Sequence, residues 1–569
     1  MKLNKIIFTG FLVFNLSFAI SASLFNNMTY AKSTEVVYKA FAEKMDFSDR
    51  YFNNQWSLDN DGSLRYSEQV GGKLIKQPVT GIEAVSDVDI DLPEARAKYR
   101  GGSKETVVAI IDTGVDYNHE DLRDVLWVNK GEIPGNGIDD DKNGYIDDIN
   151  GWNFYDNSNV LYNGKDDAHG THIAGTIIAN INSIGIAGVA GSSSVKIMVI
   201  KALGGADESG YTTGIVDAIH YAEKMGATIC NFSFGTEKTD RYLEEAIRNS
   251  NMLFVVASGN GNADTGLGYN IDDKPMYPAS YRYDNIISVA NIQADGKLHI
   301  SSNYSYNSVD LAAPGSRILS TIDSVTFNSN YASGRMPTPY AYMTGTSMAA
   351  PFVVGTAALV ASDFPGLTLS QVRQAVLYGT KSLPALSGLV ATGGMLSTKG
   401  AYDYAANNYQ AFLLANKKLE DAKKAEETKK LEEIKKAEEA KKAEEAKKLE
   451  EIKKAEETKK LEEEKNKQAE AEKAKAGKKA SKNTAPSIKL YYTKTGKILV
   501  RVSDKDKDIQ AVRYASGSKK FSYFNRGKKG TKIALNAKNE KILTLKKGTY
   551  TFYVIDKKGN KVVKRVVIK

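Results

Sequence analysis

The chain reads as an α/β domain with a parallel sheet flanked by helices, followed by a long charged helix and a small all-β module of immunoglobulin-like type. Three observations predict this. Apolar runs between Val107 and Ile292 alternate with amphipathic stretches. A Lys/Glu/Ala repeat then fills residues 417–475. Beyond Pro486 the text changes to short alternating runs separated by turn residues. With 569 residues, 42% hydrophobic and 25% charged, the chain is long enough for several domains and apolar enough for a large core.

The N-terminus has a basic start, Met1-Lys2-Leu3-Asn4-Lys5, then the apolar run IIFTGFLVFNLSFAISASLF. This is the pattern of a secretory signal peptide, with cleavage after Ala22 or Ala31. A retained anchor is the alternative. No other run approaches membrane-spanning length, so no transmembrane segment is expected once the signal is removed. A secreted monomer is the expectation, with cell-surface or wall association. The expected segments are 1–31 signal, 32–95 N-terminal segment, 96–405 α/β domain, 406–483 charged spacer and 484–569 basic β-sandwich.

Within the α/β domain, VVAIID (107–112), VKIMVIKAL (195–203), TICNFSF (228–234), MLFVVASG (252–259) and NIISVANI (285–292) are apolar on both faces. GIVDAIHYAEKMG (214–226) and DRYLEEAIRNS (240–250) have helical spacing. Strands apolar on both faces and alternating with helices argue a parallel sheet. In such sheets, working residues sit at the carboxyl ends of the strands. The single cysteine, Cys230, lies in an apolar run and excludes any intramolecular disulfide. It reads as a buried small residue. Core packing or metal ions must supply what disulfides do not.

Three stretches carry chemistry. Asp112-Thr113-Gly114 ends the first strand. Asp167-Ala168-His169-Gly170-Thr171-His172 opens one apolar segment, and Gly345-Thr346-Ser347-Met348-Ala349-Ala350-Pro351 opens another. Alone, a Ser at a helix start is an ordinary N-cap. Together the three supply a hydroxyl nucleophile, a base and an orienting acid. A Ser at a helix start also places backbone N–H groups near a developing oxyanion. Spacing does not choose between His169 and His172.

The motifs DTG, HGTHIAG and GTSMAAP, in that order, resemble the signature of the subtilisin-like serine proteases, peptidase S8, of secreted bacterial type. The resemblance runs from about Gln55 to Ala405. It implies Asp112 as orienting acid, His169 as general base and acid, Ser347 as nucleophile and Asn260 as oxyanion donor. It further implies that Ser233, Phe234 and Gly235 pair with substrate backbone, with Ser209 and Gly210 (after Glu208) on the other side. Polypeptides are the implied substrates, and backbone pairing implies broad preference. Two departures stand out. Phe352 follows the motif where the family usually has His. Tyr51–Leu58 resembles the start of the mature protease, which leaves only about 20–30 residues after the signal. A full inhibitory pro-domain does not fit in that length. Met348, beside Ser347, is an expected oxidation liability.

The stretch from Asp139 to Asp148 has oxygen ligands at alternate positions and Gly144 at the sixth, which is calcium-loop logic. Asp139, Asp141 and Asn143 would give side chains, Tyr145 its carbonyl, and Asp147 or Asp148 a further carboxylate. Asn150 at the twelfth position departs from an EF-hand. The resemblance implies a second calcium at Asp121 and Asn182, with Gln55 a weaker candidate.

From Ala425 to Leu461 every third residue is apolar or Thr, with EE and KK alternating between. A coiled coil needs a period of 3.5. A period of three turns the stripe by about 60° per step. The apolar residues therefore visit all sides, and no seam forms. Glu-to-Lys pairs at i,i+4 instead favour a lone solvated helix of roughly 90 Å over 417–475. From Thr484 onward there are about 23 Lys and Arg against about 5 acidic residues, and the rest of the chain is net acidic. The basic end suits anionic cell-wall polymers and carries no motif for a specific nucleic acid. Two further readings stay open: an adhesin with a vestigial protease domain, and a processing protease of narrow specificity.

Overall fold

Among the described residues, nine strands form the central sheet: β1 (Thr106–Asp112), β2 (Gly151–Asn153), β3 (Val195–Lys201), β4 (Ile229–Phe232), β5 (Leu253–Ala257), β6 (Ile286–Ile292), β7 (Leu311–Pro314), β8 (Lys381–Ser382) and β9 (Gly394–Met395). The computed structural model describes residues 47–98, 102, 104–205, 209–332, 338–473, 484–493 and 497–568. The expected signal over 1–31 and Glu208 lie outside the described residues. The chain divides into two units, one ending at Lys429 and one beginning at Lys430.

Across the sheet the order is β8-β9-β7-β6-β5-β4-β1-β3-β2. Every pair is parallel except β8 with β9. All residues of β1 and β6 are buried, which is why these runs are apolar on both faces. Strand β1 pairs with β3 from Thr106↔Val195 to Asp112↔Lys201, and with β4 on its other edge. The chain leaves β1 for one side of the sheet and returns on the other. That reversal opens a crevice at the carboxyl ends of the central strands.

The helices include α1 (Ala168–Ile178), α2 (Thr212–Lys224), α3 (Arg241–Asn249), α4 (Thr346–Asp363), α5 (Leu369–Tyr378) and α6 (Thr398–Lys473), beside shorter ones at Leu92–Arg96 and Ser324–Ala332. Helix α4 is buried on all sides from Thr346 to Val360, as its uniformly small and apolar sequence dictates. By length and composition it is apolar enough to cross a bilayer, contrary to the expectation of no such second run, but it is a core helix. The segment Phe47–Leu58 packs on the same unit: Tyr51 N–H donates to the Gly185 carbonyl at 2.7 Å, and Trp56 Nε1 donates to the Ser316 carbonyl at 3.1 Å. A hairpin of Arg65–Glu68 with Thr80–Glu83 follows.

Helix α6 starts inside the expected α/β segment, at Thr398. Ala401, Tyr402 and Ala405 are buried. Tyr409 Oη donates to the Pro365 carbonyl at 2.6 Å, and Asn416 Nδ2 donates to that of Gly366 at 2.8 Å. From 417 to 462 every residue is exposed. Leu431, Ile434, Leu449 and Ile452 are each more than half exposed, so this stretch has no buried face. Pairs such as Glu444 with Lys448 and Glu450 with Lys454 run along it.

The described residues of the second unit form two antiparallel sheets. One holds Ser487–Tyr492, Ile498–Ser503 and Glu540–Leu543; the other holds Thr531–Lys532, Ile509–Ser516, Gly548–Asp556 and Lys561–Ile568. Val500, Val512, Phe552 and Val554 are among the residues of its core. Within the short alternating runs expected as strands beyond Pro486, Phe521–Gly527 is instead a 3-10 turn. The reason is a spacing of three: Phe521 and Phe524 both pack against Tyr553.

Candidate active site

Asp112 ends β1 and is fully buried. Its Oδ1 accepts from the Thr113 N–H at 2.8 Å and lies 2.7 Å from His169 Nδ1. The backbone around it is pinned, since Ala202 N–H donates to the Asp112 carbonyl at 2.9 Å. His169 sits in the first turn of α1, part-exposed. Gly170 allows this approach: a Cβ there would lie 2.2 Å from the Gly114 carbonyl oxygen. Its N–H donates to Thr113 Oγ1 at 3.1 Å. Helix α1 is thereby stitched to the end of β1.

His172, one turn on, is fully buried. Its Nε2 faces the carbonyls of Ile318 at 3.0 Å and Ala341 at 3.2 Å, in the hairpin Ile318–Thr321 with Tyr340–Met343. Burial pushes the imidazole down to about 4, so it is neutral at ordinary pH. Geometry thus separates two histidines that spacing could not. His119 and His299 are also buried, and His220 is exposed on α2. Cys230 is fully buried in β4, and burial raises its thiol.

Ser347 occupies the second position of α4, after an extended Gly345. Its Oγ donates to the Ser233 carbonyl at 2.9 Å. The converse bond also forms, with Ser233 Oγ donating to the Ser347 carbonyl at 3.2 Å. Pro351 explains the second bond. Four residues on, it has no N–H to give the Ser347 carbonyl its helical partner. Asn260 follows β5. Its Oδ1 accepts from Thr346 N–H at 2.8 Å and from Thr346 Oγ1 at 3.1 Å. With the oxygen so held, the amide nitrogen is the end left for a ligand.

A cavity of about 470 Å³ gathers His169, Ser347 and Asn260 with Ser233, Phe234 and Met348. Leu203, Met343, Thr344 and Gly345 complete its lining. Met343 and Thr344 were not singled out from the sequence, although they immediately precede the GTSMAAP stretch. Gly235 is exposed beside the bridge from Thr236 to Tyr277. Ser209 and Gly210 are exposed, and Ser209 bridges to Gly204 next to Leu203. Phe352 is buried in the core.

The acidic loop gathers Glu132, Asp139 and Asp141, each offering a carboxylate oxygen within 4.8 Å of the others. Glu132 was missed because it lies upstream of the repeating pattern. Asn143 donates through Nδ2 to Asp141 Oδ2 at 3.2 Å, and the Tyr145 ring packs on Trp152 and Tyr221. Asp147 accepts from the N–H groups of Asn136 and Gly137. Asp148 is fully buried against Asn129, Asn143 and Tyr221. Glu132, Asp139 and Asp141 hold the loop as well, accepting the N–H groups of Asp140, Asp141, Asn143, Gly144 and Asp147. They are nonetheless the carboxylates that converge, and that all-oxygen set fits calcium.

At the second expected location, Asp121 Oδ2 accepts from Ile186 N–H at 2.9 Å, while its Oδ1 is buried without a partner. Burial, with Asp49 and Glu120 nearby, pushes this carboxyl up to about 7. Asp49 Oδ2 is buried without a partner as well. Such clustered anions fit a cation. Asn182 Oδ1 instead accepts from Ile184 N–H, and both ends of the Gln55 amide bind the backbone of Ala187.

Comparison with known proteins follows the same lines. The model of the subtilase family, peptidase S8, matches residues 103–408. Subtilisin-like protease 1 of Plasmodium berghei (strain Anka) is 30% identical over 68% of this chain and 60% of that one. The chain therefore spans less than two thirds of that relative's length. The major intracellular serine protease of Bacillus subtilis (strain 168) is 34% identical over 52% of this chain and 82% of that one. Thermitase of Thermoactinomyces vulgaris is 36% identical over 47% of this chain and 78% of that one.

Proposed function

Because the chain belongs to the subtilase family, we propose that it is a serine endopeptidase, with Asp112, His169 and Ser347 as the reacting trio. The observation that carries this is the 2.7 Å contact of His169 Nδ1 with the buried Asp112, in one cavity with Ser347 and Asn260. Ser347 Oγ attacks the scissile carbonyl while His169 Nε2 takes its proton. The hydroxyl must first leave the Ser233 carbonyl that it binds at rest. Asp112 keeps the Nδ1–H tautomer and stabilises the imidazolium. The tetrahedral oxyanion is met by the Ser347 N–H, unpaired in a first helical turn, and by Asn260 Nδ2. His169 then protonates the leaving amine, and water hydrolyses the acyl-enzyme by the reverse proton path. Extended substrate runs between the backbone of Ser233–Gly235 and that of Ser209 and Gly210.

Calcium would be held by Glu132, Asp139, Asp141 and the oxygens of Asn143 and Tyr145, and a second ion by Asp121 with Asp49. Bound calcium would offset the buried negative charge and stabilise the fold; it takes no part in the chemistry. The protein is secreted by this reading. Its charged helix is a spacer, and the basic module binds anionic wall polymers.

The test uses purified protein with casein and a peptide library, with and without a serine-directed inhibitor, beside Ser347→Ala. Inhibitor-sensitive cleavage that Ser347→Ala abolishes is expected. Cleavage that survives the substitution contradicts the assignment, and no cleavage at all favours the adhesin reading.

A further inference from the structure

Lys201 carries a charge to the end of an apolar strand. It is the last residue of β3 and is 1% exposed. Its ammonium donates to Asp167 Oδ1 at 2.5 Å and also to the Thr113 carbonyl. Asp167 is 0% exposed, and its Oδ2 accepts from the Asn163 N–H at 2.6 Å. Burying an ion pair is costly and seldom stabilising in itself, so the placement of this one calls for a reason.

Placement supplies that reason. Thr113 adjoins Asp112, and Asp167 stands two residues before His169. One ammonium therefore ties the end of β1 to the start of α1. The glycine of the DTG motif makes room for it. Gly114 has φ +114°, and a Cβ there would lie 2.8 Å from Asp167 Oδ1 and 2.5 Å from the Leu161 carbonyl oxygen.

We propose that the Lys201–Asp167 pair is a positioning clamp that sets the Asp112–His169 contact by holding Thr113 and the first turn of α1 to a single ammonium. Neither side chain touches the reacting atoms. The proposal rests on the trio proposed above. Other titratable groups on the elements packed here are Asp112, Asp116, Lys165, Asp166, His169, His172, Lys196 and Asp323, and the like charge of Asp323 repels that of Asp167.

The experiment compares wild type with the double variant Lys201→Met/Asp167→Asn, which removes both charges at similar volume. Both are first titrated with a serine-directed inhibitor, so that rates refer to competent enzyme. A wild type that does not react overturns the trio, and the clamp with it. With a reactive wild type, the double variant is expected to lose about 10- to 100-fold in kcat with KM within about twofold. The acid limb of its kcat/KM profile should move to lower pH, because a loosened carboxylate contact weakens the proton affinity of His169. An unchanged kcat and acid limb overturn the clamp, whatever happens to Tm. Lys201→Met alone leaves Asp167 buried and unpaired, and should lose more than the double variant; an equal or smaller loss counts against the proposal. If the double variant does not fold, Asp167→Asn alone keeps the acceptor for Asn163 and is read by the same two criteria.

Discussion

Pro351 and Asn260 show how single side chains prepare the site before substrate arrives. Pro351 releases the Ser347 carbonyl to Ser233, and two donors from Thr346 fix which end of the Asn260 amide faces the cavity. Asn260→Ala should lower kcat by about 100- to 1,000-fold with little change in KM, a magnitude known from a subtilisin and carried over here. A loss expressed in KM alone would contradict the oxyanion role. His172 gives a pH prediction. The folded imidazole titrates near 4 and the unfolded one near 6.5. Between these values the unfolded chain binds a proton that the folded chain does not. Stability is therefore present above 6.5 and is lost as pH falls toward 4, by something on the order of 3 kcal/mol. His119, also lowered by burial, adds in the same direction. The Tm of wild type should fall more steeply between pH 7 and about 4.5 than that of His172→Gln; parallel curves would refute this. The motif residues were legible from local sequence. The choice between His169 and His172 was not, because it depends on a hairpin contributed by residues more than 140 positions away.

At the scale of elements, strands buried on both faces announced themselves as apolar runs, and β1, β3 and β6 fall within a residue or two of where they were expected. The short strands β2 and β7 were missed, since three or four residues carry too little pattern. The start of α6 was also misplaced. Its docking face uses Ala401, Tyr402, Ala405 and Tyr409, which look unlike the Lys/Glu repeat that the same helix becomes. In the acidic loop, the alternation of Asp and Asn was visible, but Glu132 reaches it from seven residues upstream of Asp139. Glu132→Gln should weaken calcium binding and bring Tm toward that of the chelated wild type, with kcat at saturating calcium unchanged. Equal Tm values with and without chelator in wild type would remove calcium from the account.

For the whole molecule, the change of character along the chain was the most legible feature: an α/β unit, a helix exposed from 417 to 462, and a basic all-β unit. Its job was legible only as charge. The second unit should confer salt-sensitive retention on bacterial cell walls, measured by sedimentation of full-length chain against a chain ending at 416. Equal, salt-independent retention of both would refute the wall-binding reading. The central claim is narrower, that Ser347 is the nucleophile activated by His169 and Asp112. It is tested most directly by labelling the purified protein with a fluorophosphonate and locating the adduct by peptide mass spectrometry. The account predicts one adduct, on Ser347, formed in step with loss of casein cleavage and absent in His169→Ala. An adduct on another residue, or full cleavage by protein modified at Ser347, would contradict it.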